Sequence, residues 1–569
     1  MEIRLPRRRE VVPGLLATTL LVACSTTSYV EDADREVNSI LGTAERDVLG
    51  NRADWIVRPT AAPAEPAPSE PAPSSEAQAT DPATSDPATT DPAPAGAAPA
   101  TPTAGATAPA PAPNAMPRAA EVYDLARALG TAVHKNREFL VRRESLYRQG
   151  LSISAARFRF GPQFASTLSY LWPDAAGTPA RHQSSLGLQA SQILPTGGTL
   201  SIGGSLDGAW PYGQDAGDPS YGTSASISLS QPLLRGAGYE VSHESLTQAE
   251  RELVFAIRDF EDFRESFSIQ IAQRFFELAS QKKTLANEDA NYDAAVFDRG
   301  KAEALRQIGR KEEQEVFRAR RREIEAKDQL INARANYDRA VDEFKILLGL
   351  PTATVIELAD TEPPYEPVRL EAESAVKAAL HNRLDLITER QRLEDAQRAL
   401  RIAENGLLPD LNLVASYGRS GFANQFADAG PDQWNSSVGL SFELPLQQKD
   451  QRNNYRSAQI ALEQTRRGLA LREDQLDLDI RDALRRLKSI EERIGLQEGQ
   501  ILQEQRAVSV TQIRYESGKL ENRDLLEARQ ALVDAQNALI RLKVEHFVAR
   551  LNLLKDLGIF FVDEQGMWR

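Results

Sequence analysis

From Gly518 to Gly558 the chain reads GKLENRDLLEARQALVDAQNALIRLKVEHFVARLNLLKDLG, with Leu526, Val533, Ile540, Phe547 and Leu554 recurring every seven residues. No proline or internal glycine interrupts it, so the pattern predicts one long helix with an apolar seam that needs a neighbouring helix. The preceding stretch, about 452–512, keeps the same spacing at Ile480, Leu487, Ile494, Ile501, Val508 and Tyr515. A helix of about 60 residues is roughly 90 Å long. Gly309–Gly349 repeats the Gly518–Gly558 block without a gap: Ala319 falls on Ala528, Ala326 on Ala535, Leu330 on Leu539 and Leu348 on Leu557 (528 − 319 = 209). A second long helix, about 242–300, precedes it. The chain is therefore an internal duplication of antiparallel helical hairpins.

A second unit repeats upstream of each hairpin. His134 matches His381, Glu138 matches Asp385, Pro162 matches Pro409 and Tyr170 matches Tyr417 (381 − 134 = 247). Each copy predicts a helix that breaks at a proline and enters a strand. Strand-like runs follow: FASTLSYLW, SSLGLQASQI, GTLSIGGSLDGAW and YGTSASISLSQPLL in the first copy, LNLVASYG and WNSSVGLSFELPL in the second. Apolar residues alternate with small polar ones, as in a lipid-facing barrel strand. Trp172, Trp210, Tyr212, Tyr221, Phe422 and Trp434 lie near strand ends, the place of an interfacial girdle. Two or four strands cannot close a barrel, so their edges need other copies of the chain. The expected class is mainly α with a small β part.

YESGKLENRDLLEARQALVDAQ and QPLLRG resemble the TolC-like outer-membrane efflux proteins, the first through Tyr-x-x-Gly followed by Asp524-Leu525-Leu526-Glu527-Ala528. The likeness covers roughly residues 120–560. It implies a homotrimer with one shared transmembrane β-barrel and a periplasmic α-barrel built from the helical hairpins. It also implies an exit duct for a tripartite efflux pump or type I secretion system, served by a periplasmic adaptor and an inner-membrane pump or ABC transporter. By the same resemblance Asp524 and Glu527 occupy the acidic aperture positions, with Glu527 replacing the more usual Asp. Glu315, the counterpart of Asp524, is expected to join the tip network through a base such as Arg514 or Arg523. The turns Arg306-Gln307-Ile308-Gly309 and Tyr515-Glu516-Ser517-Gly518-Lys519-Leu520 are the expected adaptor contacts, with exposed Ile308, Tyr515 and Leu520 as apolar anchors. The first repeat departs from the family's usual two strands by an extra hairpin around Leu194-Pro195-Thr196-Gly197-Gly198.

The N-terminus adds an address. Arg4, Arg7, Arg8 and Arg9 precede the short apolar run VVPGLLATTLLVA, as in a signal peptide over residues 1–23. Leu21-Val22-Ala23-Cys24 resembles a lipobox, which makes the chain's one cysteine a lipidation site, and Ser25 favours outer-membrane sorting. Residues 24–58 form a short segment, of which 29–57 predict one or two short amphipathic helices. Residues 59–117 are almost all Ala, Pro, Thr, Ser and acids, too polar to fold, and read as a tether able to hold the lipid away from the body. The first repeat spans 118–350, a linker 351–370, the second repeat 371–560 and a tail 561–569.

Composition excludes more than it assigns. With 569 residues, a formal net charge of −14 and no basic domain, nothing invites nucleic acid. One cysteine and five scattered histidines form no metal cluster, and the repeated His134/His381 reads as a structural position at a helix start. No nucleophile–base set or nucleotide loop is present, so no enzyme and no cofactor is expected. A coiled-coil envelope lipoprotein without a pore satisfies the heptads equally well; the strands in both repeats favour a conduit.

Overall fold

A computed structural model describes residues 26–49, 121–172, 181–212, 217–309, 312–517, 519–520, 522–563 and 565–568. The expected signal peptide, Cys24, the 59–117 tether and Gly518 lie outside these residues. The elements run α1 (Thr26–Leu49), β1 (Glu121–Tyr123), α2 (Leu125–Lys135), α3 (Arg137–Phe160), β2 (Gln163–Leu171), β3 (Arg181–Ile193), β4 (Thr199–Pro211), β5 (Ser220–Pro232), α4 (Glu244–Gln307) and α5 (Glu313–Leu347). They continue with β6 (Ile356–Leu358), α6 (Ala372–Asn382), α7 (Leu384–Asn405), β7 (Asp410–Ala423), β8 (Gln433–Glu443), α8 (Lys449–Glu516) and α9 (Asn522–Asp556). The duplication survives residue for residue: α2 and α6 start at matching positions, as do α3 and α7 and, after the long arms, α5 and α9.

The arms of 64 and 68 residues are each about 100 Å long. In α8 the seven-residue seam is buried at Ile480, Leu487 and Ile494 and half-buried at Ile501, Val508 and Tyr515, so packing thins towards the tip. Between these positions, exposed pairs such as Arg481–Asp477 at 2.9 Å add a few tenths of a kcal/mol each.

The core sits at mid-height, where α2, α3, α4, α5 and α9 meet. Phe139 touches Phe260, Phe263 and Phe267 at ring separations of 5.3–5.9 Å, and Phe276 meets Phe547 at 5.0 Å. Fully burying one such ring contributes roughly 1.5–3 kcal/mol. Two connections that read as linker and tail belong to this core. β6 pairs in parallel with β1, and Phe560, Val562 and Trp568 pack into it.

The return helices end in the same way in both repeats. Gly349 (φ 74°) and Gly558 (φ 68°) take the left-handed conformation after α5 and α9. Each lies under the break between the two short helices of its repeat. A Cβ on Gly349 would fall 2.1 Å from the Lys135 carbonyl oxygen, and one on Gly558 2.8 Å from the Asn382 carbonyl carbon. At the first break Asn136 accepts from the Phe139 N–H and donates to the Leu347 carbonyl at 2.7 Å. At the second, Arg383 binds Asp385 at 2.9 Å and Asp556 at 3.1 Å. Burial raises the Asp385 pKa, but hydrogen bonds from Arg383 and Arg472 outweigh it and hold the carboxyl at about 2. His134 and His381 lie in the last turns of α2 and α6, not at a helix start as the sequence suggested. A C-terminal turn is where the helix dipole favours a base.

α1 is a single helix that lies across α3. Val37 and Leu41 press on Gly150, where a Cβ would come 2.6 Å from Val37 Cγ1, and Tyr147 donates to Asp34.

Gly349→Ala and Gly558→Ala should each lower the thermal unfolding midpoint by more than Gly309→Ala. Gly309 shares the positive φ (71°) but has open space around it, so its change costs only the roughly 1–2 kcal/mol of the left-handed conformation. Equal midpoints for all three variants would remove the wedge.

Candidate functional site

The six long strands form one antiparallel sheet in the order β2-β3-β4-β5-β7-β8. The extra hairpin of the first repeat, β3–β4, is therefore part of the sheet, and the four strand-like runs of the first copy join the two of the second in it. β2 and β8 are its free edges. Pairing is in register throughout, so the two faces can be read directly. On one face Leu168 lies opposite Leu186, Leu186 opposite Leu206, Ile202 opposite Ile227 and Leu413 opposite Leu440. On the other, Ser185 lies opposite Asp207, Ser205 opposite Ser224 and Ser416 opposite Ser437, with the Ser205–Ser224 and Ser416–Ser437 hydroxyls 2.8 and 2.7 Å apart. One face is apolar and the other is lined with hydroxyls.

The expected aromatic girdle gathers at the sheet end away from the helices. Trp172 and Trp434 are 65% and 68% exposed, and Trp210 donates to the Tyr221 hydroxyl at 3.0 Å. His182, which the sequence reading passed over, stacks on Tyr212 at 4.6 Å within the same belt. At the opposite end a clamp joins the repeats: Arg235 forks onto Asp410, and buried Arg398 binds Glu244 at 2.6 Å and Asp395 at 2.9 Å. The strands thus rest on a junction that both repeats share.

The hairpin tips are about 100 Å of helix away. In the first, Arg306 binds Glu313 at 3.1 Å across the turn, Gly309 reverses the chain and Ile308 is 64% exposed. In the second, the Lys519 N–H reaches the Arg514 carbonyl at 2.9 Å. Tyr515 and Leu520 are half-buried, so of the three expected anchors Ile308 alone is exposed. Tyr515 packs against the neighbouring hairpin, with Lys301 Nζ 4.6 Å from its ring centroid. Burial raises its pKa, and the charges of Asp298 and Glu315 add to the shift.

The sequence reading missed the contacts that join the two hairpins. Asp298 is buried and its pKa raised by burial, against the opposing charges of Arg529 and Lys301. Across the same seam Arg322 donates to Gln530 at 3.1 Å and Asn287 to Asn537 at 2.7 Å, while Arg529 is also held within its own hairpin by Gln512 at 3.0 Å. Polar residues inside a heptad pattern were the available signal. Asp524 and Glu527 are both exposed on the first turns of α9, either side of buried Leu525, and Arg523 approaches Glu527 at 4.0 Å. Glu315 is half-buried and pairs with Arg318 at 2.8 Å, a partner other than the expected Arg514 or Arg523. Among the described residues no three His, Cys, Asp or Glu side chains form a metal-binding group, and no helix is long and apolar enough to cross a membrane.

Comparison with known proteins gives the same frame. The family "Outer membrane efflux protein" matches residues 375–558. Outer membrane protein TolC of Escherichia coli K12 is 23% identical over 391 residues, 65% of this chain and 75% of that protein. The pyoverdine export outer membrane protein OpmQ of Pseudomonas aeruginosa is 26% identical over 236 residues, 39% of this chain and 47% of its own length. Among solved structures, the outer-membrane channel OprN superposes with a TM-score of 0.59 at 16% identity, covering 78% of this chain and 90% of that one. VceC of Vibrio cholerae superposes with a TM-score of 0.57 at 17% identity, over 76% and 96%.

Docking of α1 should depend on pH. Burial lifts the Glu45 pKa from 4.5 to about 7, with Arg264 opposing and Glu261 adding to the shift. A carboxyl with a raised folded pKa stabilises most below its unfolded pKa, and that contribution is lost as pH rises through about 7. After correction for intrinsic exchange, α1 amides should exchange faster at pH 8 than at pH 5. Glu45→Gln should flatten the difference.

Proposed function

The chain carries an outer membrane efflux protein domain and the fold of the TolC-like outer-membrane channels, and on that premise we propose that three copies form a channel-tunnel. It is the exit duct of a tripartite efflux pump or a type I secretion system. The observation that carries this reading is the six-stranded sheet, apolar on one face, hydroxyl-lined on the other and open at both edges, standing on helices of about 100 Å. In a bilayer the free backbone groups of β2 and β8 need partners. β2 leaves the helical body and β8 returns to it, so β8 of one copy can pair antiparallel with β2 of the next and close a ring. The aromatic belt then marks the outer interface, and the hairpins continue the ring as an α-barrel across the periplasm.

Cys24, once acylated, anchors the chain in the outer membrane just ahead of docked α1. Each buried CH₂ contributes about 0.8 kcal/mol. At the far end three copies of Asp524 and Glu527 make an aperture of six carboxylates that draws and binds cations. The turns at Arg306–Gly309 and Tyr515–Leu520 meet the adaptor, with Ile308 as the exposed anchor. An inner-membrane pump or ABC transporter supplies the energy.

The purified protein in a planar bilayer should conduct, and a trivalent cation added on the tip side should block it. Asp524→Asn/Glu527→Gln should weaken the block at least about tenfold, the effect of removing charge from a multi-carboxylate site. A folded, inserted protein that stays silent before and after neutralisation would sink the channel reading in favour of a stalk.

A further inference from the structure

The β3–β4 hairpin has no counterpart in the second repeat. It is nevertheless paired on both sides, from Gln163↔Ser191 to Leu171↔Gln183 with β2 and from Thr199↔Ser230 to Ala209↔Ser220 with β5. The face alternation passes through it unbroken: Leu188, Ile202 and Leu206 continue the apolar face, and Gln189, Ser201 and Ser205 the polar one. A hairpin folded over the mouth as a cap would have water on both sides and no use for a continuous apolar face. Resting on the channel reading, we propose that this hairpin is a wall element that widens the shared barrel to eighteen strands (3 × 6). The hydroxyl lining makes that section sort solutes by size and leaves charge selection to the aperture.

Barrel diameter grows roughly linearly with strand number, so eighteen strands give a bore about one and a half times that of the twelve left without the hairpin. Small side chains on the polar face, Ser205, Ser224, Ser226 and Ser228 among them, leave that bore open. Asp207 lies on the same face towards the belt end, and Asp410 and Glu443 at the helix end. Between them the central stretch of wall carries hydroxyls, amides and glycines. Such a wall offers hydrogen bonds to a bulky polar solute and attracts neither sign of charge.

The test compares the full chain with a variant lacking residues 181–212, in which β2 and β5 become antiparallel neighbours. Neutral polyethylene glycols of graded size are added on the belt side of a planar bilayer. The radius of the smallest excluded polymer should fall by about one third in the variant, and the conductance by about twofold. An unchanged exclusion radius with conductance intact would overturn the widening and leave the channel reading standing. If neither protein conducts, or the variant does not fold, Ser205→Cys and Ile202→Cys in the full chain in liposomes decide instead. A charged maleimide should label the first from water and spare the second. Equal labelling would place the hairpin outside the wall.

Discussion

Two glycines carry the architecture. Each long return helix ends in a left-handed residue pushed so far under a helix break that no side chain fits, once at Gly349 beneath Lys135 and once at Gly558 beneath Asn382. This contact ties the end of each hairpin to the start of its own repeat. It thereby sets the height at which two arms of about 100 Å leave the core. A shift of one residue in either return helix would put a Cβ into backbone and move the aromatic cluster around Phe275 and Phe344 off its seat. The sheet at one end and the tips at the other inherit their positions from these contacts.

The two repeats solve the same break with different chemistry. The first uses Asn136, a neutral cap that satisfies one N–H and one carbonyl. The second uses an ion network of Arg383, Asp385, Arg472 and Asp556, in which two guanidinium groups outweigh the cost of burying a carboxylate. Duplicated geometry has been kept while the side chains that satisfy it have diverged. The division extends along the hairpins: the heptad seams bury aliphatic residues near the core and give way to amide and charge contacts towards the tips. The core is held by burial and the tips by hydrogen bonds, each of the latter contributing only about 1 kcal/mol net.

Period and repetition made much of this legible. The seven-residue seams, the constant offsets and the glycines bounding each return helix are local properties, and they located the hairpins within a few residues. Alternation found the six long strands, because a face that meets lipid must be apolar at every second position. Pairing was not legible. Whether the Leu194–Gly198 turn folds its strands into the sheet depends on partners distant in sequence. The same holds at the tips. The reading picked out Tyr515 and Glu315 but had no means of seeing that Tyr515 packs on Lys301, or that buried Asp298 lies within reach of Arg529. The pair of β1 with β6 escaped notice because three-residue strands have no period to detect.

The route of the chain through its core bears on how it is assembled. Residues of α1, near the beginning, share a hydrophobic cluster with Phe560, Val562 and Trp568, near the end. A core made from contacts of such separation forms slowly, since the closure entropy of the whole intervening chain must be met first. Until residues 560–568 arrive, the ring cluster around Phe139, Phe267 and Phe276 lacks part of its cover. A chain emerging residue by residue would thus spend most of that passage with its stickiest surface open.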